Sequence, residues 1–177
     1  MSKLRIIIGD DCFADGSERA KDAVDGMFCS MAEAANYKEA FPIRTELEGD
    51  RYVGRNVVPY AAEIQVRAVT SADELIREVG QGRYDLVVTD LEYGQFGGDR
   101  GGVTVINNLQ GNHTLALCTS SRDRQLLADL GSKVQILAAP RLEEVIVLNK
   151  FELLGTKISQ YYLNNPRLLL EKTSGGE

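Results

Sequence analysis

The chain is poor in the residues that build disulfide and zinc sites. It contains three cysteines, Cys12, Cys29 and Cys118, without a Cys-x-x-Cys pair, and a single histidine, His113. An odd number of isolated thiols supports neither a disulfide framework nor a zinc site, so we predict buried and unreactive thiols. His113 has no acidic or cysteine companion at ligand spacing, and we expect it at the surface or at a strand edge.

Positive charge is also in short supply. The 177 residues include 20 Lys and Arg against 26 Asp and Glu, a formal net charge of −6. This balance disfavours a broad attraction to nucleic acid phosphates or to an anionic membrane surface. No apolar run approaches the roughly 20 residues that span a bilayer, and the first residues run into a strand-like segment instead of the apolar stretch of a signal peptide. We therefore expect a cytoplasmic protein that binds neither nucleic acid nor membrane.

The apolar residues that are present form five short runs rich in branched side chains, which predict β-strands. Several runs are apolar nearly throughout, as is typical of parallel strands covered on both faces. With a hydrophobic fraction of 44%, the chain should form one core, and we expect one domain over residues 1–165 and a C-terminal tail over 166–177, polar from Lys172 onward. The predicted strands are Leu4–Gly9, Ile64–Val69, Tyr84–Thr89, Thr114–Cys118 and Val134–Ala138.

Helical patterns separate these strands. Asp15 followed by Glu18, and Ser71 followed by Glu74, have the spacing of a capping box, so we predict helices that begin near residues 16 and 72. Shorter helices are predicted at about 102–110 and 123–130. Alternating strands and helices predict an α/β fold with a doubly wound, parallel, five-stranded sheet. For its strand order we adopt the flavodoxin-like order 2-1-3-4-5, one of the common orders of such sheets.

Residues 38–62 form an insertion between the first helix and the second strand. A structureless connection of about 25 residues is unusual inside a compact domain. Ile43–Glu48 and Arg51–Val58 alternate around the turn-prone pair Gly49-Asp50, so we predict an inserted β-hairpin arm. The alternative is a surface loop.

The C-terminal region predicts an extended helix from Arg141 to about Asn164, roughly 36 Å long at 1.5 Å per residue. Its apolar residues occupy two stripes, and one stripe is enough to cover the sheet. We predict that the second stripe is covered by another copy of the chain, giving a homodimer; the alternative is a helix that folds back on the insertion. The second stripe comprises Val147, Phe151, Leu154, Ile158, Tyr161 and Tyr162.

Acidic residues follow two of the predicted strands. Gly9-Asp10-Asp11 ends the first strand and Thr89-Asp90 ends the third. In the order 2-1-3-4-5 these strands are neighbours, and their carboxyl ends flank the switch point at which such folds bind ligands. Three carboxylates in one crevice would raise one another's pKa values unless a cation neutralises them, and an oxygen-only cluster suits Mg²⁺. The alternative is that these aspartates are helix caps or solvated loop residues.

The fourth predicted strand ends in Thr119-Ser120-Ser121 at the same edge of the sheet. A hydroxyl there could donate a hydrogen bond to an oxyanion carried by Asp90. The signal is weak by itself, because Ser and Thr commonly cap the helix that follows.

Taken together, these segments resemble the receiver domain of two-component response regulators, whose fold is CheY-like. The resemblance extends over about two-thirds of the chain and excludes the insertion and the distal part of the last helix. The segments that carry it are IIIGDD, IQVRAVTSADELIREVGQGRYDLVVTDLEYG, GGVTVINNL, LALCTSS and LAAP.

The resemblance implies a role for each acidic residue. Asp90 would accept a phosphoryl group from the phosphohistidine of a histidine kinase or phosphotransfer protein. Asp10, Asp11 and Asp90 would hold Mg²⁺, together with the backbone carbonyl of Glu92, and Thr119 would contact the phosphoryl group. Such a protein takes part in phosphorelay signalling and is no enzyme beyond Mg²⁺-dependent self-phosphorylation.

The chain departs from the receiver pattern at three places. Receivers carry a Lys-Pro pair after the fifth strand, but here the pair is Ala139-Pro140, so the charge partner of the phosphoryl group is predicted to be missing. Ile136 replaces the usual aromatic residue, and the loop after Asp90 is lengthened. Loss of one charge-assisted hydrogen bond costs about 1.5 to 3 kcal/mol, or one to two powers of ten in affinity. Arg100 in that loop is one candidate replacement.

Two other functions compete with a phosphorylated receiver. A pseudo-receiver would keep the fold and act as a phosphorylation-independent dimeric interaction module. A phosphatase-type hydrolase would need an Asp-x-Asp pair on the first strand, whereas Asp10 and Asp11 are adjacent, which argues against turnover. Since no DNA-binding output domain is recognisable, we expect the signal to be passed on by protein–protein contact.

Overall fold

A seven-stranded sheet lies between two layers of helices in the computed structural model, which describes residues 2–94, 100–139 and 149–170. Its strands are β1 (Lys3–Gly9), β2 (Thr45–Glu48), β3 (Arg51–Val58), β4 (Ala61–Val69), β5 (Leu86–Thr89), β6 (Leu115–Cys118) and β7 (Ile136–Ala138). Its helices are α1 (Ser17–Ala34), α2 (Ala72–Gln81), α3 (Gly101–Leu109), α4 (Arg124–Gly131), α5 (Lys150–Asn164) and α6 (Arg167–Leu170), with 3-10 turns at Asp11–Asp15 and Lys38–Ala40.

The strand order is β2-β3-β4-β1-β5-β6-β7. Five neighbouring strands, β4, β1, β5, β6 and β7, are parallel to one another. In the numbering of the five predicted strands, this is the order 2-1-3-4-5. The doubly wound α/β prediction is therefore confirmed. Its count of five strands is too low, because the insertion supplies two more strands to the same sheet.

The insertion contains the predicted hairpin, but it is not a separate arm. β2 and β3 pair antiparallel around Gly49-Asp50, where Gly49 has a φ of +63°. β3 then pairs antiparallel with β4, from Arg51 opposite Arg67 to Val58 opposite Ala61. This pairing buries Val53 and Val57 and satisfies the backbone groups at the edge of β4, which a projecting hairpin would leave open.

Both helices begin within one residue of their predicted starts, but only Ser71 acts as the predicted cap. The Glu74 amide donates to Ser71 Oγ over 3.2 Å, and Glu74 Oε2 accepts from the Thr70 amide over 3.1 Å. The prediction for Asp15 is wrong, because α1 begins after Gly16 without a side-chain cap and Asp15 pairs with Arg19 over 2.9 Å. The 3-10 turn that precedes α1 ends at Asp15, so this residue lies one position too early to cap the helix.

The last long helix begins later than predicted. Asn149 has a non-helical backbone, with φ −51° and ψ 129°, and its side chain accepts a hydrogen bond from the Phe151 amide over 3.1 Å. An unbroken helix from Arg141 to Asn164 is therefore wrong, since α5 starts at Lys150. Residues 140–148 and the predicted tail beyond 170 lie outside the described residues.

The second apolar stripe of α5 is covered by the same chain. Phe151, Leu154, Ile158 and Tyr162 are buried in the core that α5 shares with α1. Gly155 lies against the backbone of Met27, so close that a side chain would collide with the Met27 carbonyl. Part of this cover comes from the insertion.

Tyr60, in the turn between β3 and β4, stacks on Tyr162 with ring centroids 5.8 Å apart. The stripe is therefore covered without a second copy of the chain. A homodimer through the C-terminal helix remains a prediction, but it is no longer supported by an uncovered apolar stripe.

On the opposite face of the sheet, α2, α3 and α4 bury a second apolar cluster. None of the helices described here has the length and apolar character needed to cross a membrane.

Candidate functional site

The acidic tips of β1 and β5 meet at one edge of the sheet. The two strands pair in parallel with Gly9 opposite Thr89, and the Asp90 amide donates to the Gly9 carbonyl over 2.9 Å. Asp10 and Asp90 therefore follow neighbouring strand ends. One carboxylate oxygen from each of Asp10, Asp11 and Asp90 lies within 4.8 Å of the other two. The predicted crevice of three carboxylates is present.

Each carboxylate is oriented by one backbone N–H group. The Cys12 amide donates to Asp10 Oδ1 over 3.0 Å, because Asp10 caps the 3-10 turn. The Gly94 amide donates to Asp11 Oδ2 over 2.9 Å, and the Leu91 amide donates to Asp90 Oδ1 over 2.6 Å. Asp10 and Asp90 are 1% and 8% exposed, whereas Asp11 is half-buried at the mouth. Backbone donors hold the three groups in fixed positions.

Lys150 supplies the positive charge that was predicted to be missing. Its ammonium lies 2.7 Å from Asp90 Oδ2 and also pairs with Asp10 Oδ2. The side chain is 15% exposed and projects from the first residue of α5. Ala139 does follow β7 as the sequence indicates, but the prediction that the site therefore has no charge partner is wrong. The lysine comes from the first residue of α5 instead.

A local signal for Lys150 is present in the sequence. Asn149 followed by Glu152 has the spacing of a helix start, and it lies inside the segment that we predicted as one continuous helix. A helix that begins at Lys150 can place its first side chain at the edge of the sheet where the parallel strands end. The other candidate, Arg100, instead pairs with Asp123 over 3.3 Å on the exposed surface.

Thr119 lies beside Asp90 as predicted. Its amide donates to the Ala138 carbonyl over 3.0 Å, its side chain is buried, and its hydroxyl lowers the pKa of Asp90. The Ser121 amide donates to Thr119 Oγ1 over 3.2 Å. Glu92 is half-buried, and the role of its carbonyl stays a prediction.

Burial and neighbouring charges shift the acid–base properties of the site. Burial raises the pKa of the Asp90 carboxyl, the Lys150 ammonium opposes this shift, and the Asp10 carboxylate adds to it. For Lys150, burial lowers the pKa, but the carboxylates of Asp90 and Asp10 outweigh burial and leave the pKa above its usual value. Three carboxylates thus face one ammonium, and the pocket keeps an excess of negative charge.

The loop after Asp90 is tied to the strand that precedes it. The Thr89 hydroxyl donates to the Asp90 carbonyl over 2.8 Å, and Tyr93 Oη lies 2.8 Å from Thr89 Oγ1. Since the Thr89 proton is already used, the Tyr93 hydroxyl is the donor of that second bond. On the other side, Gly102 of α3 approaches so closely that a Cβ there would overlap the Asp90 carbonyl and lie 2.7 Å from Leu91 Cα.

Two of the three thiols adjoin the site: the Cys118 thiol donates to the Lys150 carbonyl over 3.4 Å, and the Cys12 thiol lies beside Asp10. Only Cys118 is fully buried, so the prediction of three buried thiols is wrong for Cys12 and Cys29, which are half-buried. Burial nevertheless raises the pKa of the Cys12 thiol to about 12, with a further contribution from Asp10. His113 is half-buried two residues before β6.

Replacing Asp90 with Asn should stabilise the metal-free protein. Because the folded-state pKa of Asp90 is raised, folding favours its protonated form, and the unfolding free energy falls as pH rises from the usual value of 3.8 through the folded value. Asn does not ionise, so at neutral pH we expect a gain of about 1 kcal/mol and a rise of about 2–4 °C in Tm. The difference should vanish near pH 4.

Thermal unfolding in a chelator at several pH values measures this effect. Asp22→Asn, at an exposed position of α1, is the matched control and should leave Tm unchanged. A lower Tm for Asp90→Asn than for the unsubstituted protein at neutral pH would show that the pairing of Asp90 with Lys150 outweighs its burial.

Comparison with known proteins bears on the fold. No protein-family model matches the chain, and no curated protein matches it. The signal receiver domain of an HD domain-containing protein from Pseudomonas fluorescens Pf-5 aligns over 93% of this chain and 98% of its own, with 13% identity and a TM-score of 0.51. A response regulator receiver domain protein from Clostridium thermocellum also aligns over 93% of this chain and 98% of its own, with 10% identity and a TM-score of 0.50. With its strand order and its acidic strand ends, the chain has the fold of a response-regulator receiver domain.

Proposed function

We propose that this protein is a receiver module of a two-component system that accepts a phosphoryl group on Asp90 and passes the signal on by protein–protein contact. The observation that carries the proposal is the half-buried Lys150 ammonium between Asp10 and Asp90, with the Thr119 hydroxyl beside Asp90. An acidic crevice alone is common at strand ends. A buried carboxylate paired with an ammonium and flanked by a hydroxyl is equipped to receive an anionic group.

The side chains of the crevice fit Mg²⁺. Three carboxylates whose oxygens converge within 4.8 Å provide the oxygen donors that this ion prefers, and their charge exceeds that of the single ammonium. We assign the ion to Asp10, Asp11 and Asp90, with the Glu92 carbonyl as a further donor. Bound there, Mg²⁺ would neutralise charge on the transferred group.

Phosphoryl transfer then needs one covalent exchange. A carboxylate oxygen of Asp90 forms a bond to phosphorus while the bond between phosphorus and the donor's histidine nitrogen breaks, and the imidazole leaves with that electron pair. Lys150 balances the negative charge that arrives at Asp90. The Thr119 hydroxyl donates to a phosphoryl oxygen, and the backbone bonds at Asp10 and Asp11 keep those carboxylates in place. Partnership with a histidine kinase or phosphotransfer protein implies a cytoplasmic location.

Incubation with acetyl phosphate and Mg²⁺ tests the proposal. We expect the intact mass to rise by one phosphoryl group, and the group to be removed by hydroxylamine, as an acyl phosphate is. The gain should require Mg²⁺ and should be lost in Asp90→Asn. Asp22→Asn, which removes an exposed carboxylate of α1, should be phosphorylated like the unsubstituted protein.

A pseudo-receiver is the second candidate, and Ile136 favours it. This residue is 3% exposed and has no hydroxyl or ring with which to report the state of Asp90. If neither acetyl phosphate nor beryllofluoride with Mg²⁺ changes the mass or the NMR spectrum of the protein, the phosphorylation proposal is overturned. Partner binding that persists in Asp90→Asn would then support the interaction module.

A further inference from the structure

The β2 strand is an open edge of the sheet. It lies at the end of the strand order, and within the described ranges no strand pairs with its outer side. Leu47 at its centre is 60% exposed, the largest exposure among the large apolar residues that the structure describes. Unpaired strand edges are templates for another strand, so this edge is a candidate interaction surface.

The hairpin determines which backbone groups of β2 are free. Glu48 and Arg51 flank the two-residue turn Gly49-Asp50 and form the closing pair of the ladder. In a two-residue hairpin this pair exchanges backbone hydrogen bonds, and such pairs alternate along an antiparallel ladder. Glu48 and Glu46 therefore direct their backbone groups toward β3. Thr45 and Leu47 direct theirs to the open edge.

We propose that two copies of the chain associate through this edge, with β2 pairing antiparallel to β2 of the second copy. The outward N–H and C=O groups of the two strands lie opposite each other when Thr45 of one copy faces Leu47 of the other. In this register the two-fold axis passes beside Glu46. Four backbone hydrogen bonds then join the two sheets into one continuous sheet. The contact is isologous, because both copies contribute the same strand.

Charge complementarity favours a second copy as the occupant. The same register places Arg44 opposite Glu48 of the other chain, and symmetry repeats that pair. Arg44 is exposed and has no ion-pair partner among the residues that the structure describes. Charged side chains on a short edge normally discourage foreign strands. Here they match only a strand with the opposite sequence of charges, which the antiparallel copy provides.

The remaining charge at the axis is already balanced. Glu46 of each copy would lie opposite its counterpart, but Arg55 holds Glu46 over 2.8 Å within its own chain and also pairs with Glu48. On the other face of the strand, the exposed Leu47 side chain would gain cover from Thr45 and Leu47 of the second copy. A contact built on five residues per chain is small, so the dimer should be weak.

Two charge variants test the register directly. Arg44→Glu places acidic residues at both position 44 and position 48, and Glu48→Arg places basic residues at both, so each variant opposes like charges in its own homodimer. We expect both to be monomeric in sedimentation velocity runs at concentrations where the unsubstituted chain dimerises, with dimer affinity weakened by about tenfold or more. An equimolar mixture of the two variants should form a heterodimer, because the acidic edge of one chain then lies opposite the basic edge of the other at both charged positions.

The outcomes separate this edge from other surfaces. Restored association in the mixture supports the proposal, and circular dichroism shows that each variant alone is folded. Leu163→Asp, on an exposed position of α5, should leave dimerisation unchanged. A chain that is monomeric up to the highest concentration, a dimer that survives Arg44→Glu, or a dimer that Leu163→Asp abolishes would each overturn the proposal.

Discussion

Lys150→Met is expected to destabilise the metal-free protein by about 3–5 kcal/mol, the cost of leaving a buried charge without its partner. Asp10 and Asp90 would remain buried, and within the described part of the chain the salt bridges of these two carboxylates are with Lys150 alone. Urea unfolding in a chelator measures the change. Mg²⁺ should recover part of the loss, since a divalent ion offers the same carboxylates a counter-charge.

Lys157→Met is the matched control for this variant. Lys157 is exposed on the same helix, so its loss should change the unfolding free energy by less than about 0.5 kcal/mol. Asp90→Asn combined with Lys150→Met gives a double-mutant cycle, and the Asn substitution should recover more stability in the Met background than in the unsubstituted chain. Equal effects in both backgrounds would mean that the two side chains are not coupled.

The pH dependence of the pair has a defined direction. Because the folded-state pKa of Lys150 is raised above its usual 10.5, the pair contributes its full stabilisation below that value and loses it as pH rises through the folded pKa. The unsubstituted protein should therefore lose stability above about pH 10.5 relative to Lys150→Met.

The Lys150→Met variant should also bind its ligands more weakly. Its affinity for beryllofluoride in the presence of Mg²⁺ should fall by about ten- to a hundredfold.

Gly102→Ala is expected to cost about 3 kcal/mol and to disturb the site at the same time. An added Cβ would overlap the Asp90 carbonyl and lie 2.7 Å from Leu91 Cα. Both neighbours are backbone atoms, so they cannot turn aside as a flexible side chain can. The segment that carries Asp90 has to shift away from α3, and Mg²⁺ affinity measured by titration should fall with stability.

The same substitution at Gly80 provides a control of opposite sign. Gly80 lies in α2, and a Cβ there would meet nothing within 4 Å. Since Ala favours the helix over Gly, Gly80→Ala should stabilise the protein by about 0.5–1 kcal/mol and leave Mg²⁺ affinity unchanged. A Gly102→Ala variant as stable as the unsubstituted protein would show that α3 does not rest on the Asp90 backbone.

Much of the site could be predicted because its acidic residues are tied to strand ends. Asp10 follows a run of buried isoleucines and Asp90 follows a run of valines, and each run reads as a strand without reference to the rest of the chain. Alternation with helices predicts a doubly wound parallel sheet, and in its flavodoxin-like order 2-1-3-4-5 the two strand ends are neighbours. Thr119 follows by the same reasoning from the end of β6.

Lys150 could not be placed in this way, because its position depends on where a helix begins. The helical periodicity continues on both sides of Asn149 and predicts one long helix, whereas the weaker capping signal of Asn149 and Glu152 is the one that the structure follows. The insertion shows a related limit. Alternation predicts the strands Ile43–Glu48 and Arg51–Val58, close to the observed Thr45–Glu48 and Arg51–Val58, but strand periodicity does not tell which free edge they join.

The amino-acid sequence by itself determined the elements whose signal is local: the parallel strands, the Ser71 cap, the Gly49-Asp50 turn and the acidic residues at the strand ends. Three features became clear only in the folded chain. These are the residue that supplies the ammonium of the crevice, the side chains that cover Phe151 and Tyr162, and the sheet edge at which β2 stays unpaired. Each depends on residues far apart in the chain, and their meeting is selected by burial and charge in the folded state.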